Sequence, residues 1–224
     1  MHSYEIEIKS LLGSSEKADG MRLKMRVLDP NMKLTKENKQ RNHYFVGGDI
    51  MRLCERVLPF FSEDGQKRLK KIAAFGKEFS IRSRQQNDRV LLVIKASIDE
   101  TTSANGIARM EFEEPIPKTL TELDTILLSA GYSYQAKWSR ERQEYLCKGV
   151  TVCLDKNAGY GYVAEFEKMV DSPEQAPLVQ KELRELMAAL EAEELSQDRL
   201  ERMFAYYNKN WLDYYGTEKI FTIE

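Results

Sequence analysis

Histidine is nearly absent, with two residues in a chain of 224. His2 and His43 are too few and too isolated for a histidine-based metal centre or a nucleophile–histidine pair. His43, beside Tyr44, reads as structural. Cysteine is equally scarce. Cys54, Cys147 and Cys153 are odd in number, and their spacing matches neither a zinc knuckle nor a CxxC pair. They read as reduced thiols, which sets a cytoplasmic expectation. No apolar run approaches the roughly 20 residues needed to span a bilayer. The chain opens directly on a charged strand, so no secretory leader is expected. A net charge of -2 supplies no bulk field toward nucleic acid or an anionic membrane. Neither is an expected partner. The basic run Lys67-Arg68-Leu69-Lys70-Lys71 reads as a solvated helix face. Low-complexity segments and internal repeats are also lacking, which excludes solenoids and propellers.

What is present is a globular balance, with 42% hydrophobic and 31% charged residues, enough for one sizeable core. Alternation predicts strands at about 4–12, 43–46, 78–85, 89–96, 107–114, 133–146, 149–155 and 162–169. Helices are predicted at about 50–58, capped by Asp49 and ended by Pro59, at 66–74, and at 121–130 before Gly131. Residues 13–42 are polar and broken by Gly13, Gly20 and Asp29-Pro30. Met21–Leu28 within them fits a short strand or a helix. From Pro173 the pattern turns helical. Leu178, Leu183, Leu186, Met187 and Leu190 give the first helix an apolar side, and a second helix spans about 196–215. The fold class is α+β, dominated by antiparallel strands. Residues 1–170 form the strand-rich domain, with a helical insertion at about 49–74. Residues 171–224 form helices that pack on it.

The charges concentrate on single strand faces. Residues i and i+2 of a strand point the same way. Glu5, Glu7 and Lys9 share a face, as do Arg82 with Arg84, Arg109 with Glu111 and Glu113, Arg140 with Arg142, and Glu165 with Glu167. Lys95 and Asp155 occupy the polar sides of two further strands. A solvated outer face explains any one of these, because antiparallel sheets expose one side. Repeated like-charged pairs are unfavourable unless opposite charge lies among them. The set holds seven acids and seven bases. If these faces turn inward in a closed barrel, the acids could hold a hard cation such as Mg²⁺ or Mn²⁺. The arginines could then grip a polyanion bidentately. A metal-bridged triphosphate needs both halves. Such an interior cannot be the hydrophobic core, so helices are expected to cover the outward faces.

At these residues the chain resembles the CYTH superfamily, the triphosphate tunnel metalloenzymes. The ordered motifs are an ExExK strand (Glu5, Glu7, Lys9), an RxR strand (Arg82, Arg84), Lys95, an RxExE strand (Arg109, Glu111, Glu113), an RxR strand (Arg140, Arg142), Asp155 and a closing ExE strand (Glu165, Glu167). The resemblance covers about residues 4–170. It implies a closed, eight-stranded antiparallel barrel with surrounding helices. It further implies metal binding by Glu5, Glu7, Glu165 and Glu167, with Asp155 beside them. Lys9, Arg82, Arg84, Lys95, Arg109, Arg140 and Arg142 are implied to bind the triphosphate. In relatives a C-terminal helix plugs one mouth, and the stretch ending at Tyr215 is the candidate.

The expected chemistry is metal-dependent hydrolysis of tripolyphosphate, thiamine triphosphate or ATP. Glu111 or Glu113 would orient water, and Lys9 would act as an acid–base group. Cyclisation of ATP to cyclic AMP and pyrophosphate is the alternative in the same site. A non-catalytic module for a polyphosphate or an RNA 5′-triphosphate is the third reading.

Overall fold

Alternating Ile6 and Ile8 against Glu5, Glu7 and Lys9 make Tyr4–Gly13 the first strand, β1. The computed structural model describes residues 4–97 and 109–223, apart from the side chains of Tyr4, Arg109 and Pro173. In chain order there follow α1 (Ser15–Leu28), β2 (Lys33–Gly47), α2 (Ile50–Val57), α3 (Glu63–Phe75), β3 (Lys77–Gln86), β4 (Arg89–Ser97), β5 (Arg109–Pro115), α4 (Leu120–Ser129), β6 (Tyr132–Cys147), β7 (Val150–Asn157), β8 (Gly161–Val170), α5 (Ala176–Ala189) and α6 (Gln197–Asn210). The eight strands form one antiparallel sheet in the order β1-β8-β7-β6-β2-β3-β4-β5. Among the described residues, hydrogen bonds do not close this order into a ring.

The chain divides into two compact units. Among the described residues, the first holds 4–39 and 139–223, and the second holds 40–97 and 109–138. Each has its own core. In the first, Ile6, Ile8, Val152, Leu154, Ala164 and Phe166 pack with Met21 and Met25 of α1 and with Leu183 and Met187 of α5. In the second, Ile81, Leu92, Ile94 and Phe112 pack with Leu53 of α2, Leu69 and Ile72 of α3, and Leu123 and Leu127 of α4. Each fully buried side chain of this size contributes about 2 kcal/mol. Within each unit the helices therefore cover the apolar strand faces, and the charged faces lie on the other side of the same strands.

The undecided stretch at Met21–Leu28 is helical. Ser14 caps α1 by accepting from Lys17 N at 3.4 Å, and Ala18, Met21 and Met25 supply a helix-spaced buried stripe. Strand β2 is longer than the expected 43–46 and begins at Lys33. Its buried face is made of Asn38, Gln40 and Asn42, which carry no hydrophobic signal. Leu178 lies outside the packed side of α5, being 62% exposed, and Val179 is the buried residue there. The last helix ends at Asn210, and a 3₁₀ turn follows at Trp211–Asp213. Residues 107–108 of the expected 107–114 strand lie outside the described residues.

Turn chemistry fixes the register. Lys148 and Gly149 join β6 to β7 with φ of 51° and 77°, the two positive angles that a tight hairpin requires. Gly161 opens β8 at φ 71°, and a Cβ there would collide with the carbonyl oxygen of Gly13. Only glycine permits this approach of β8 to the end of β1.

Candidate functional site

Four neighbouring strands assemble the charged residues of the first unit. The β1–β8 register sets Lys9 opposite Glu165 and Glu7 opposite Glu167. The β7–β8 register sets Cys153 opposite Glu165. The β6–β7 register sets Arg142 opposite Asp155. Residues far apart in sequence thus become direct cross-strand neighbours.

Two environments result. One is a compact ion-pair network. Asp155 has a fully buried side chain and accepts from Arg140 Nη1 at 3.0 Å, Arg142 Nε at 2.8 Å and Arg142 Nη2 at 2.6 Å. Glu165 pairs with Arg142 and lies 3.3 Å from Lys9 Nζ. Lys9 also lies 2.8 Å from Glu7. Burial raises the Asp155 carboxyl, and Arg140 and Arg142 offset part of that rise. Burial also opposes ionisation of Glu165, but Lys9, Arg142 and Arg140 outweigh it and hold the carboxyl well below the usual range. For Lys9 the desolvation is overcome by Glu165 and Glu7, which keep the ammonium above its ordinary value. Arg142 is likewise held charged against burial by Glu165 and Asp155.

The other environment is a carboxylate cluster. Oxygens of Glu5, Glu7 and Glu167 all lie within 4.8 Å of one another. Burial, then the charge on Glu165, with Glu5 and Glu7 adding to it, pushes Glu167 up to about 8, although Arg142 opposes the rise. A group of hard oxygen donors whose like charges already conflict is a suitable set for a divalent cation. Among these residues, Glu5, Glu7, Asp155, Glu165 and Glu167 outnumber Lys9, Arg140 and Arg142 by two when all are ionised. One divalent cation balances that excess. Cys153 Sγ lies 3.6 Å from Glu167, and burial pushes its thiol upward, so it is a neutral neighbour of this set.

The second unit brings together the remaining basic residues. Arg84 donates from Nη1 to Glu113 at 2.9 Å and from Nε to Asn42 at 2.7 Å. Arg82 donates to the Tyr44 hydroxyl at 2.9 Å. Lys95 lies 3.3 Å from Glu111, its direct cross-strand partner. Glu111 and Glu113 are therefore both ion-paired. The Arg109 side chain lies outside the described residues. Sequence reasoning passed over the polar face of β2, which supplies Asn42 and Tyr44. The available signal was Gln40-x-Asn42-x-Tyr44, a period of two carried by polar groups.

His43 belongs to the opposite face of β2. Its Nδ1 lies 2.7 Å from Asp124 Oδ2, and Asp124 also accepts from Ser83 and from the Tyr134 hydroxyl at 2.7 Å. This buried cluster fastens α4 to β2, β3 and β6 and is structural in character.

Comparison with solved structures finds the same fold in several proteins. A conserved hypothetical protein from Pyrococcus furiosus is 19% identical, with 88% of this chain and 93% of that one covered at a TM-score of 0.57. A candidate adenylate cyclase from Vibrio parahaemolyticus is 16% identical, with 92% and 99% covered at 0.58. A candidate adenylyl cyclase from Hippeastrum, described as having a dominant triphosphatase activity, is 18% identical, with 92% and 96% covered at 0.50. No curated protein sequence matches. The sequence profile of the CYTH domain matches residues 73–200, from α3 into α6. With more than half of its length matched, in a chain whose strands carry the charged faces just described, this protein belongs to the CYTH domain family.

Proposed function

We propose that this chain is a metal-dependent enzyme that acts on a triphosphate, hydrolysing inorganic tripolyphosphate or an organic triphosphate. The observation that carries the proposal is the grouping of Glu5, Glu7 and Glu167 within 4.8 Å beside cations held by Glu165 and Asp155. An oxygen-only donor set favours Mg²⁺ or Mn²⁺. When bound, such an ion supplies positive charge to phosphate oxygens, the main requirement of phosphoryl transfer.

The chain's own residues have distinct roles in this reading. Lys9, Arg140 and Arg142 in the first unit bind phosphate oxygens and stabilise the charge that develops on them. Arg82, Arg84, Lys95 and Arg109 in the second unit are the other phosphate-binding groups. Lys9 is held protonated by Glu165 and Glu7, so it serves as a cation rather than as a base. Glu165 and Asp155 complete the acidic wall and also keep Lys9, Arg140 and Arg142 oriented. Glu111 or Glu113 orients the attacking water. The proposal retains the closed barrel that the family resemblance implies, and a cytoplasmic location.

Hydrolysis is favoured by the triphosphatase activity described for the Hippeastrum relative. Likeness to the Vibrio protein supports cyclisation of ATP as the second reading. The test is incubation with Mg²⁺ or Mn²⁺ and tripolyphosphate, thiamine triphosphate or ATP, with the products resolved. Orthophosphate with a diphosphate product supports the proposal. Cyclic AMP with pyrophosphate selects the second reading. Tight binding without turnover overturns the assignment as an enzyme and leaves a binding module.

A further inference from the structure

Strand β2 presents Gln40, Asn42 and Tyr44 on one face, and the first two are buried. Buried amides are costly unless hydrogen-bonded, and here Asn42 points at an arginine. The β2–β3 register sets Asn42 directly opposite Arg84 and Tyr44 directly opposite Arg82. Asn42 Oδ1 accepts from Arg84 Nε at 2.7 Å. Asn42 Nδ2 donates to Gln40 Oε1 at 3.4 Å, which turns the amide so that its oxygen meets the guanidinium. Tyr44 accepts from Arg82 at 2.9 Å, and its ring centroid lies 4.6 Å from the Arg82 guanidinium carbon.

We propose that Asn42 and Tyr44 are positioning residues that orient Arg84 and Arg82 toward phosphate. This rests on the reading of those arginines as phosphate-binding groups. The distinctive feature is neutrality. A carboxylate opposite Arg84 would fix the guanidinium but cancel its attraction for an anion, and Glu113 already supplies one negative partner. The Asn42 carbonyl fixes the plane through Nε at no cost in charge. Tyr44 does the same for Arg82 through a hydroxyl and an aromatic face. Arginines aligned in advance lose less freedom when they close on a planar pair of phosphate oxygens.

Two measurements test the proposal. Calorimetric titration with inorganic tripolyphosphate compares wild type, N42L, N42D, R84Q and N42L/R84Q. N42L is expected to bind about tenfold more weakly and to change affinity by less than about twofold in the R84Q background. Equal losses in both backgrounds, or unchanged affinity of N42L, would overturn the assignment. N42D keeps the shape and the acceptor, so it addresses the question even if N42L does not fold. It is expected to weaken binding through its added charge, and wild-type affinity would contradict the argument from neutrality. The second measurement needs no ligand. The Arg84 Nε–H resonance, identified by its loss in R84Q, should exchange slowly in wild type and fast in N42L. Equal exchange in the two would overturn the positioning role. Failure of wild type to bind tripolyphosphate would instead remove the functional reading and leave positioning to be decided by the resonance.

Discussion

Glu7 faces Glu167 directly across the β1–β8 ladder. Two carboxylates opposed on one face repel each other, and Glu7 adds to the burial and the Glu165 charge that push Glu167 up to about 8. The same ladder sets Lys9 against Glu165 two pairs further along, where the charges attract. A single register thus sets an attracting pair and a repelling pair side by side.

The first prediction concerns stability. Glu167 has a folded pKa of about 8 against an ordinary value of 4.5. Between those values the folded state binds more protons than the unfolded state. Stability of the metal-free protein should therefore fall as pH rises from about 4.5 to about 8, by an amount on the order of a few kcal/mol. Urea midpoints across this range check the slope. E167Q should flatten it and make the metal-free protein more stable at pH 8.

Metal binding should release protons. Below pH 7 an incoming cation displaces the proton of Glu167, and above about pH 9 there is none to displace. Mn²⁺ titrations in buffers of different ionisation enthalpy should count close to one proton at the lower pH and none at the higher. A pH-independent count would show that Glu167 is not a ligand.

The buried network predicts a different cost. R142Q removes the main partner of Asp155, whose side chain is fully buried. Asp155 would keep only Arg140, which donates at 3.0 Å, so the change should destabilise the protein by about 3 kcal/mol, the lower end for a broken buried pair. R142Q/D155N should recover part of the loss, and chemical denaturation measures both.

Asp124 supplies an acid-side prediction. Burial opposes its ionisation, but hydrogen bonds from His43, Ser83 and Tyr134 lower its pKa overall. Its contribution is present above the ordinary carboxylate range and lost as pH falls through the folded value. D124N should cost about 2 kcal/mol at neutral pH and reduce the acid sensitivity of the melting temperature.

These predictions also mark what the sequence could and could not convey. The paired charges at i and i+2 in β1, β3, β5, β6 and β8 were legible because a strand face is a local property. The different fates of Glu165 and Glu167 were not. Both belong to one ExE motif, and only the register against Lys9 and Glu7 separates a carboxylate in an ion pair from one opposed by another carboxylate. Strand β2 was legible only at its end, 43–46, where Phe45 is buried; residues 33–42 were missed for another reason. In that part the buried residues are Asn38, Gln40 and Asn42, so hydrophobic alternation does not reveal it. Helix α1 was undecided because its buried stripe is only Ala18, Met21 and Met25 within a polar segment. Closure of the strands into a barrel was expected from the family resemblance, and the hydrogen-bonded order among the described residues does not supply it.

The central claim is that Glu5, Glu7 and Glu167 hold the cation on which triphosphate chemistry depends. The most direct test is orthophosphate release from tripolyphosphate as Mn²⁺ is varied, for wild type, E5Q, E7Q and E167Q, each shown to be folded. Wild type should turn over only with metal, and each variant should lose activity by at least about a hundredfold. Metal-independent turnover by wild type, or near-normal rates in E7Q and E167Q, would contradict the account.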